Sequence, residues 1–292
     1  MHLNINLNRP IFILGNPRSG TSLLRLMLHS HSEISIPPES HFFLWLEDKY
    51  KHWSSDCLDE FIEDLFASTK FETWNIEREA LRAFLIAEKV LSYGQLISLI
   101  YAFYIQQEGQ ETTTYWGDKN SLWIEKLEVI KTHYPNAFFI HIVRDGRDVA
   151  CSYKSLNKKI FDSPYAPKLP NQVVDIAQVW KTNVEAVDLF LLEKVKPTNK
   201  ITIRYEDLIN TPTEMITKIL DKLALHIEQD QLNYFLKDSQ DIEPLAFLKW
   251  KEKLKQPLDI KNIGKFKHEL TNTDIASFNF IAKTTLRKYN YL

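Results

Sequence analysis

The sequence predicts an α/β fold: an open, mainly parallel sheet flanked by helices, with a mostly helical insertion. Three observations carry the prediction. Short apolar or β-branched runs recur along the chain, a turn follows each run, and apolar residues at three- and four-residue spacing follow each turn. Strands that alternate with amphipathic helices build a parallel sheet covered on both faces.

The first run, Ile11-Phe12-Ile13-Leu14, is apolar throughout and is ended by Gly15 and Pro17, the signature of a strand buried on both faces. Leu23, Leu24, Met27 and Leu28 then mark a helix. The same grammar returns at Ala137-Phe138-Phe139-Ile140-His141-Ile142-Val143, followed by Arg144-Asp145-Gly146 and a helical stretch with Val149 and Tyr153 on one face. A third strand, Lys200-Ile201-Thr202-Ile203-Arg204, leads into Tyr205-Glu206-Asp207-Leu208 and a helix marked by Ile216, Ile219, Leu220 and Leu223. Val174, Ala177, Trp180, Val184, Val187 and Leu191 mark another helix before it. Residues from about Ser40 to Ser121 read as the helical insertion, and Ser163 to Pro170 as an irregular loop. No boundary divides the chain, so residues 1–292 read as a single domain.

Of 292 residues, 44% are hydrophobic, enough for a substantial core without repeats. The formal charge is −2 with no block of like charge, which argues against nucleic acid or a membrane surface as partner. Cys57 and Cys151 lack disulfide or metal spacing and are expected as free thiols in a reducing compartment. Met1 to Arg9 is polar and mixed, and the apolar run after it is too short for a leader or a span, so a cytoplasmic location is expected. Oligomeric state leaves no mark in the sequence.

Gly15-Asn16-Pro17-Arg18-Ser19-Gly20-Thr21-Ser22 fits the phosphate-loop template G-x-x-x-x-G-K-[ST] except that Thr21 replaces the lysine. That lysine is the main fixed cation in γ-phosphoryl chemistry. Without it, the P-loop-like segment remains an anion nest at a helix N-terminus, with Arg18 and two hydroxyls nearby. Arg144, at the end of the second long strand, offers a guanidinium for a phosphate, and Ser152, two turns into the next helix, a hydroxyl. Two anion motifs at the carboxyl ends of parallel strands point to one nucleotide site.

Pro17 to Ser22 resembles the 5′-phosphosulfate loop of the sulfotransferases that use 3′-phosphoadenosine 5′-phosphosulfate (PAPS), in the branch that includes tyrosylprotein sulfotransferases and many bacterial enzymes. Val143 to Asp148 with Ser152 resembles that family's 3′-phosphate motif. Arg204-Tyr205-Glu206-Asp207-Leu208 resembles a stretch whose tyrosine lies near the nucleotide, and Ile263-Gly264-Lys265-Phe266-Lys267 resembles a loop that closes over the donor. The resemblance implies a P-loop-like fold and donor contacts from Arg18, Ser19, Gly20, Thr21, Ser22, Arg144, Ser152, Tyr205 and Lys265, with 3′,5′-adenosine diphosphate as product. It also implies that no metal is required, because a sulfuryl group carries less charge than a phosphoryl group.

The acceptor must lose a proton, so a base belongs near the sulfur. Glu39, in the turn Ile36-Pro37-Pro38-Glu39-Ser40-His41, matches the glutamate that serves as base in the resembling enzymes; His41 is its rival. Trp116-Gly117-Asp118-Lys119-Asn120 resembles a segment whose lysine approaches the bridging oxygen, which implies that role for Lys119. His29 and His31 read as a polar helix end rather than a metal pair. The acceptor expected from this near-neutral chain without a broad basic groove is a small molecule bearing a hydroxyl or amine. A P-loop nucleoside or nucleotide kinase is the first alternative, and a non-catalytic nucleotide-binding protein the second.

Overall fold

The computed structural model describes residues 5–161, 163–237, 243–244, 247 and 249–292; the first four residues of the polar N-terminal stretch lie outside them. Among the described residues the sheet has five strands, β1 (Ile11–Leu14), β2 (Ile34–Ser35), β3 (Tyr115–Lys119), β4 (Phe138–Val143) and β5 (Lys200–Arg204). All pair in parallel, in the order β2-β3-β1-β4-β5. Helix α1 (Thr21–His29) follows β1, and the insertion carries α2 (Phe42–Tyr50), α3 (Leu58–Phe66), α4 (Arg78–Ala87) and α5 (Tyr93–Gln107). Next come α6 (Leu127–His133), α7 (Gly146–Asn157), α8 (Val173–Lys194), α9 (Tyr205–Asn210), α10 (Pro212–Asp221) and, after shorter turns, α11 (Asn272–Lys288). No described helix is long and apolar enough to cross a membrane.

β1 is central because all four of its side chains are apolar and both of its faces are covered. Alternation along the strand divides them. Ile11 and Ile13 pack with Leu24 and Met27 of α1, Ile140 and Ile142 of β4, and Ile216 and Ile219 of α10. Phe12 and Leu14 face the insertion and α8. There Phe12 meets Trp123 edge to face at 5.2 Å and lies 6.0 Å from the Phe139 ring and 6.1 Å from Trp116, geometries that aromatic rings favour. The insertion is therefore the second layer of the core, and its deepest helix, α5, is apolar around most of its circumference.

β3 is a strand within the stretch from about Ser40 to Ser121 that the sequence predicts to be mostly helical. Its sequence, Tyr-Trp-Gly-Asp-Lys, shows no apolar run, yet all five residues are buried between β1 and β2. A strand can hold charges there because partners answer them on both faces. Tyr101 and Trp123 donate to the two oxygens of Asp118, and Lys119 on the other face meets Glu39. The irregular loop near Ser163 to Pro170 and the long helix before β5 are as expected.

Burial pushes the Asp118 carboxyl up to about 6, against the pull of its Tyr101 and Trp123 hydrogen bonds. The folded protein thus holds this proton more tightly than the unfolded chain does. The stabilisation is complete below the unfolded value of about 4 and is lost as pH rises through the folded one. Asp118→Asn removes that loss. Relative to the parent, the variant should gain on the order of 3 kcal/mol between about pH 4 and about pH 7.5 in urea unfolding; a constant difference would show that Asp118 titrates normally.

Candidate active site

Because the sheet is parallel, the carboxyl ends of β1, β3, β4 and β5 lie along one edge, and the chain leaves each of them through a polar segment. After β1, Arg18 and Gly20 take left-handed conformations, with φ of 69° and 95°. Left-handed residues in such a turn curl backbone N–H groups toward a common point, and α1 begins directly behind them at Thr21. Asn16 fixes the curl: its amide nitrogen donates to the Tyr153 hydroxyl at 3.1 Å, and its oxygen accepts from Asn183 at 2.8 Å. Glycine is required at position 20 twice over, by φ and because a Cβ there would lie 2.5 Å from the Tyr205 ring.

The expected donor-binding residues meet in one cleft. Arg18 Nε donates to Ser152 Oγ at 3.3 Å, and Arg144 Nη1 donates to the Arg18 carbonyl at 3.2 Å. The Arg144 guanidinium lies 4.4 Å from the centre of the Tyr205 ring, and its Nη2 donates to the Asn262 carbonyl at 2.6 Å. Arg18, Gly20, Thr21, Ser22, Arg144, Ser152, Tyr205 and Lys265 all line the cleft. Ser19 does not. It turns inward, its amide donating to the Asn16 carbonyl at 3.1 Å and its hydroxyl buried without a partner. Lys265 arrives on a loop held by Asp148 of α7, whose oxygens accept from the Gly264 amide at 2.7 Å and the Phe266 amide at 3.0 Å.

Among the described residues the cleft is lined by more cations than carboxylates, Arg18, Arg144 and five lysines against Glu252 and Asp259. Among the described residues neither Arg18 nor Arg144 has a carboxylate in salt-bridge range, and burial together with Arg144 lowers the Arg18 guanidinium to about 10. Lys249, Lys251 and Lys253 line the same cleft, as does Lys159. Burial and the neighbouring Lys265 and Arg144 lower the Lys253 ammonium. These lysines escaped the sequence reading, although their alternation in Lys249-Trp250-Lys251-Glu252-Lys253 is a visible basic pattern.

Glu39 and Lys119 come together beside the phosphate loop. Lys119 stands opposite Ile13 of β1, and its Nζ lies 2.5 Å from Glu39 Oε2. Lys70 donates to Oε1, and His41 Nε2 lies 3.3 Å from the same oxygen. The turn that carries Glu39 is pinned from the insertion side, where Trp74 donates to the Pro38 carbonyl at 2.9 Å and Asn120 to the Ser40 carbonyl at 3.1 Å. Burial alone would raise the Glu39 carboxyl, but Lys119, His41 and Lys70 outweigh it and hold the group well below the usual carboxylate range. Glu39 is thus ionised at neutral pH. The side chains of Glu39 and Lys119 are only 9% and 5% exposed, so the pair is screened from bulk water.

His29 and His31 serve the backbone. His29 Nδ1 accepts from the Ile36 amide at 3.1 Å, and burial lowers its imidazole to about 3. His31 Nδ1 accepts from the Glu33 amide at 3.0 Å, leaving Nε2 to donate to the His226 carbonyl at 2.8 Å.

Gly20→Ala tests how tightly the loop is built. Strain at φ of 95° and the Tyr205 clash should lower stability by roughly 1–3 kcal/mol in denaturant unfolding. Gly109, whose φ is also positive but which has open space around it, supplies the control: Gly109→Ala should show only the strain. Equal losses would show that the Tyr205 ring yields freely.

The family model described as Sulfotransferase family matches residues 10–229, a span that holds the phosphate loop, Glu39, Lys119, Arg144, Ser152 and Tyr205. Among curated proteins, a putative protein-tyrosine sulfotransferase of Caenorhabditis briggsae is 25% identical over 78% of this chain and 70% of its own length. Nodulation protein NoeE of Sinorhizobium fredii is 28% identical over 73% of this chain, which spans only 49% of that relative. Among solved structures, the sulfotransferase domain of the Synechococcus olefin synthase aligns over 97% of this chain and 96% of its own, with a TM-score of 0.63 and 24% identity. Mouse sulfotransferase SULT7A1, complexed with PAP, aligns over 99% of this chain and 88% of its own at a TM-score of 0.55 and 13% identity. With the fold shared and the family model covering most of its length, this chain belongs to the sulfotransferase family.

Proposed function

We propose that the chain, acting as a single domain over residues 1–292, transfers a sulfuryl group from PAPS to a hydroxyl or amine of a small-molecule acceptor, with Glu39 as base. The observation that carries the reading is the pair of guanidiniums facing a cleft at the carboxyl edge of the sheet, half-buried Arg18 and buried Arg144, neither of which has a carboxylate in salt-bridge range among the described residues. Buried cations without carboxylates call for an anionic ligand. The residues present suit a nucleotide bearing phosphates at two places: the phosphate loop answers one, and Arg144 with Ser152 the other. Arg144 Nε is a buried polar atom without a protein partner, which suits an anion site. Thr21, where a kinase carries lysine, disfavours a γ-phosphoryl reaction.

When bound, the donor supplies an activated sulfur whose bond to the bridging oxygen breaks as a bond to the acceptor forms. Glu39 takes the acceptor proton, which its ionised state permits, and Lys119 answers the charge that develops on the leaving oxygen. The near-complete burial of this pair favours a small acceptor over a protein segment. Likeness to protein-tyrosine sulfotransferases favours a tyrosine side chain instead. Labelled donor offered to small hydroxyl and amine compounds and to tyrosine peptides separates the two. The unpaired thiols of Cys57 and Cys151 support a reducing, cytoplasmic setting.

3′,5′-Adenosine diphosphate should raise the unfolding temperature with chelator present, and more than ATP with magnesium does. The reverse order would support a kinase. Arg144→Ala should weaken nucleotides that carry a 3′-phosphate by roughly 1.5–3 kcal/mol and leave analogues without it nearly unchanged; equal losses would detach Arg144 from that phosphate. Glu39→Gln should lower turnover by roughly 10²–10⁴-fold while product affinity and folding persist. Full turnover in that variant, with none in His41→Asn, would move the base to His41.

A further inference from the structure

Around Glu39 several cations gather among the described residues. Arg25, Lys70, Lys119 and Lys251 surround Glu39 and Glu243, and Asp118 lies behind Lys119 on the opposite face of β3. Lys251 Nζ lies 2.9 Å from Glu243 Oε1, and Arg25 Nη2 lies 3.3 Å from the same oxygen. Lys70 comes from the insertion and Lys251 from a segment beyond residue 229, where the family match ends, yet each ammonium sits 5.3 Å from the centre of the buried Phe247 ring. Both cations thus lie against one aromatic ring, whose π-system attracts each of them. Lys251 also lines the nucleotide cleft, whereas Glu39, Lys70 and Lys119 lie behind its lining, so Lys251 stands between cluster and cleft.

Placing several ammonium groups in a buried site is unfavourable unless an anion joins them. In this structure the anion is the Glu39 carboxylate itself, with Lys119 on one oxygen and Lys70 on the other. A carboxylate so held is a poor proton acceptor. Burial lowers the Lys251 ammonium to about 8 against the pull of Glu243, and the neighbouring Lys119 adds to the fall.

We propose that Lys70 and Lys251 complete, with Lys119, a three-ammonium seat for the sulfuryl group, and that Glu39 occupies this seat as a stand-in anion until the donor displaces it. The inference rests on the donor assignment above and adds two residues and an order of events to it. The incoming sulfuryl oxygens take over the lysines, the carboxylate is released from them, and its affinity for a proton rises at the moment an acceptor needs a base. Before the donor arrives the same contacts keep the base quiet.

The test compares the affinity of the full-length chain, without acceptor, for intact PAPS and for 3′,5′-adenosine diphosphate, which lacks the sulfuryl group. Lys70→Met and Lys251→Met should bind the product within about twofold of the parent and the intact donor at least about tenfold more weakly. Lys251→Arg should recover much of the loss and keeps the question open to refutation if Lys251→Met fails to fold. Glu39→Gln, with the stand-in charge removed, should bind the intact donor more tightly than the parent and the product equally. Equal effects on both ligands, or none on either, would overturn the seat; weaker donor binding by Glu39→Gln would overturn the displacement. If the parent protein bound neither ligand, the donor assignment would fall, and the seat with it.

Discussion

The organisation of this protein follows from one electrostatic constraint: positive charge must be gathered in a partly buried place and left without matching carboxylates. Arg18 and Arg144 do this at the phosphate loop, where the hydrogen bonds they donate go to a hydroxyl and to backbone carbonyls. Neutral acceptors orient a guanidinium without cancelling it. The Tyr205 ring performs the same service, since its face attracts Arg144 while its body packs against Gly20. The unfavourable self-repulsion of these cations is tolerated because the strands beneath them are held by an apolar core on both faces.

The helical insertion then has a function beyond covering the sheet. It brings Lys70 to Glu39 and, through Trp74, fixes the turn on which Glu39 sits. Trp74 is itself wedged among Phe42, Phe71 and Tyr101, so the position of a single carboxylate depends on an aromatic cluster that touches no part of the nucleotide cleft. Tyr101 also bonds Asp118, the neighbour of Lys119. Carboxylate and lysine are therefore registered against each other through one helix, α5.

What was legible in the sequence is what depends on local chemistry. The runs Ile11 to Leu14 and Ala137 to Val143 declare themselves by apolar content, and Arg18, Thr21 and Arg144 by their place directly after those runs. β3 was illegible as a strand because its stability comes from distant partners: Tyr101 and Trp123 for Asp118, Glu39 for Lys119. Lys70 and Lys251 were missed for a related reason. Each is one lysine among many in the sequence, and only the Phe247 ring that both approach sets them apart. Ser19 shows the opposite case, since its motif position is plain in the sequence while the inward turn of its hydroxyl is not.

Almost every contact that shapes the cleft joins residues far apart along the chain. Arg18 reaches Ser152 across 134 residues, Arg144 reaches Asn262 across 118, and β1 pairs with β3 and β4 rather than with a neighbouring hairpin. Contacts of such long sequence separation close large loops before they return any stabilisation, and proteins dominated by them fold slowly. The phosphate loop leaves the ribosome long before the Gly264 to Phe266 loop that Asp148 grips. The cleft therefore comes into being only after the Gly264 to Phe266 loop has left the ribosome, and a nascent chain that stops short of that loop has no closed cleft.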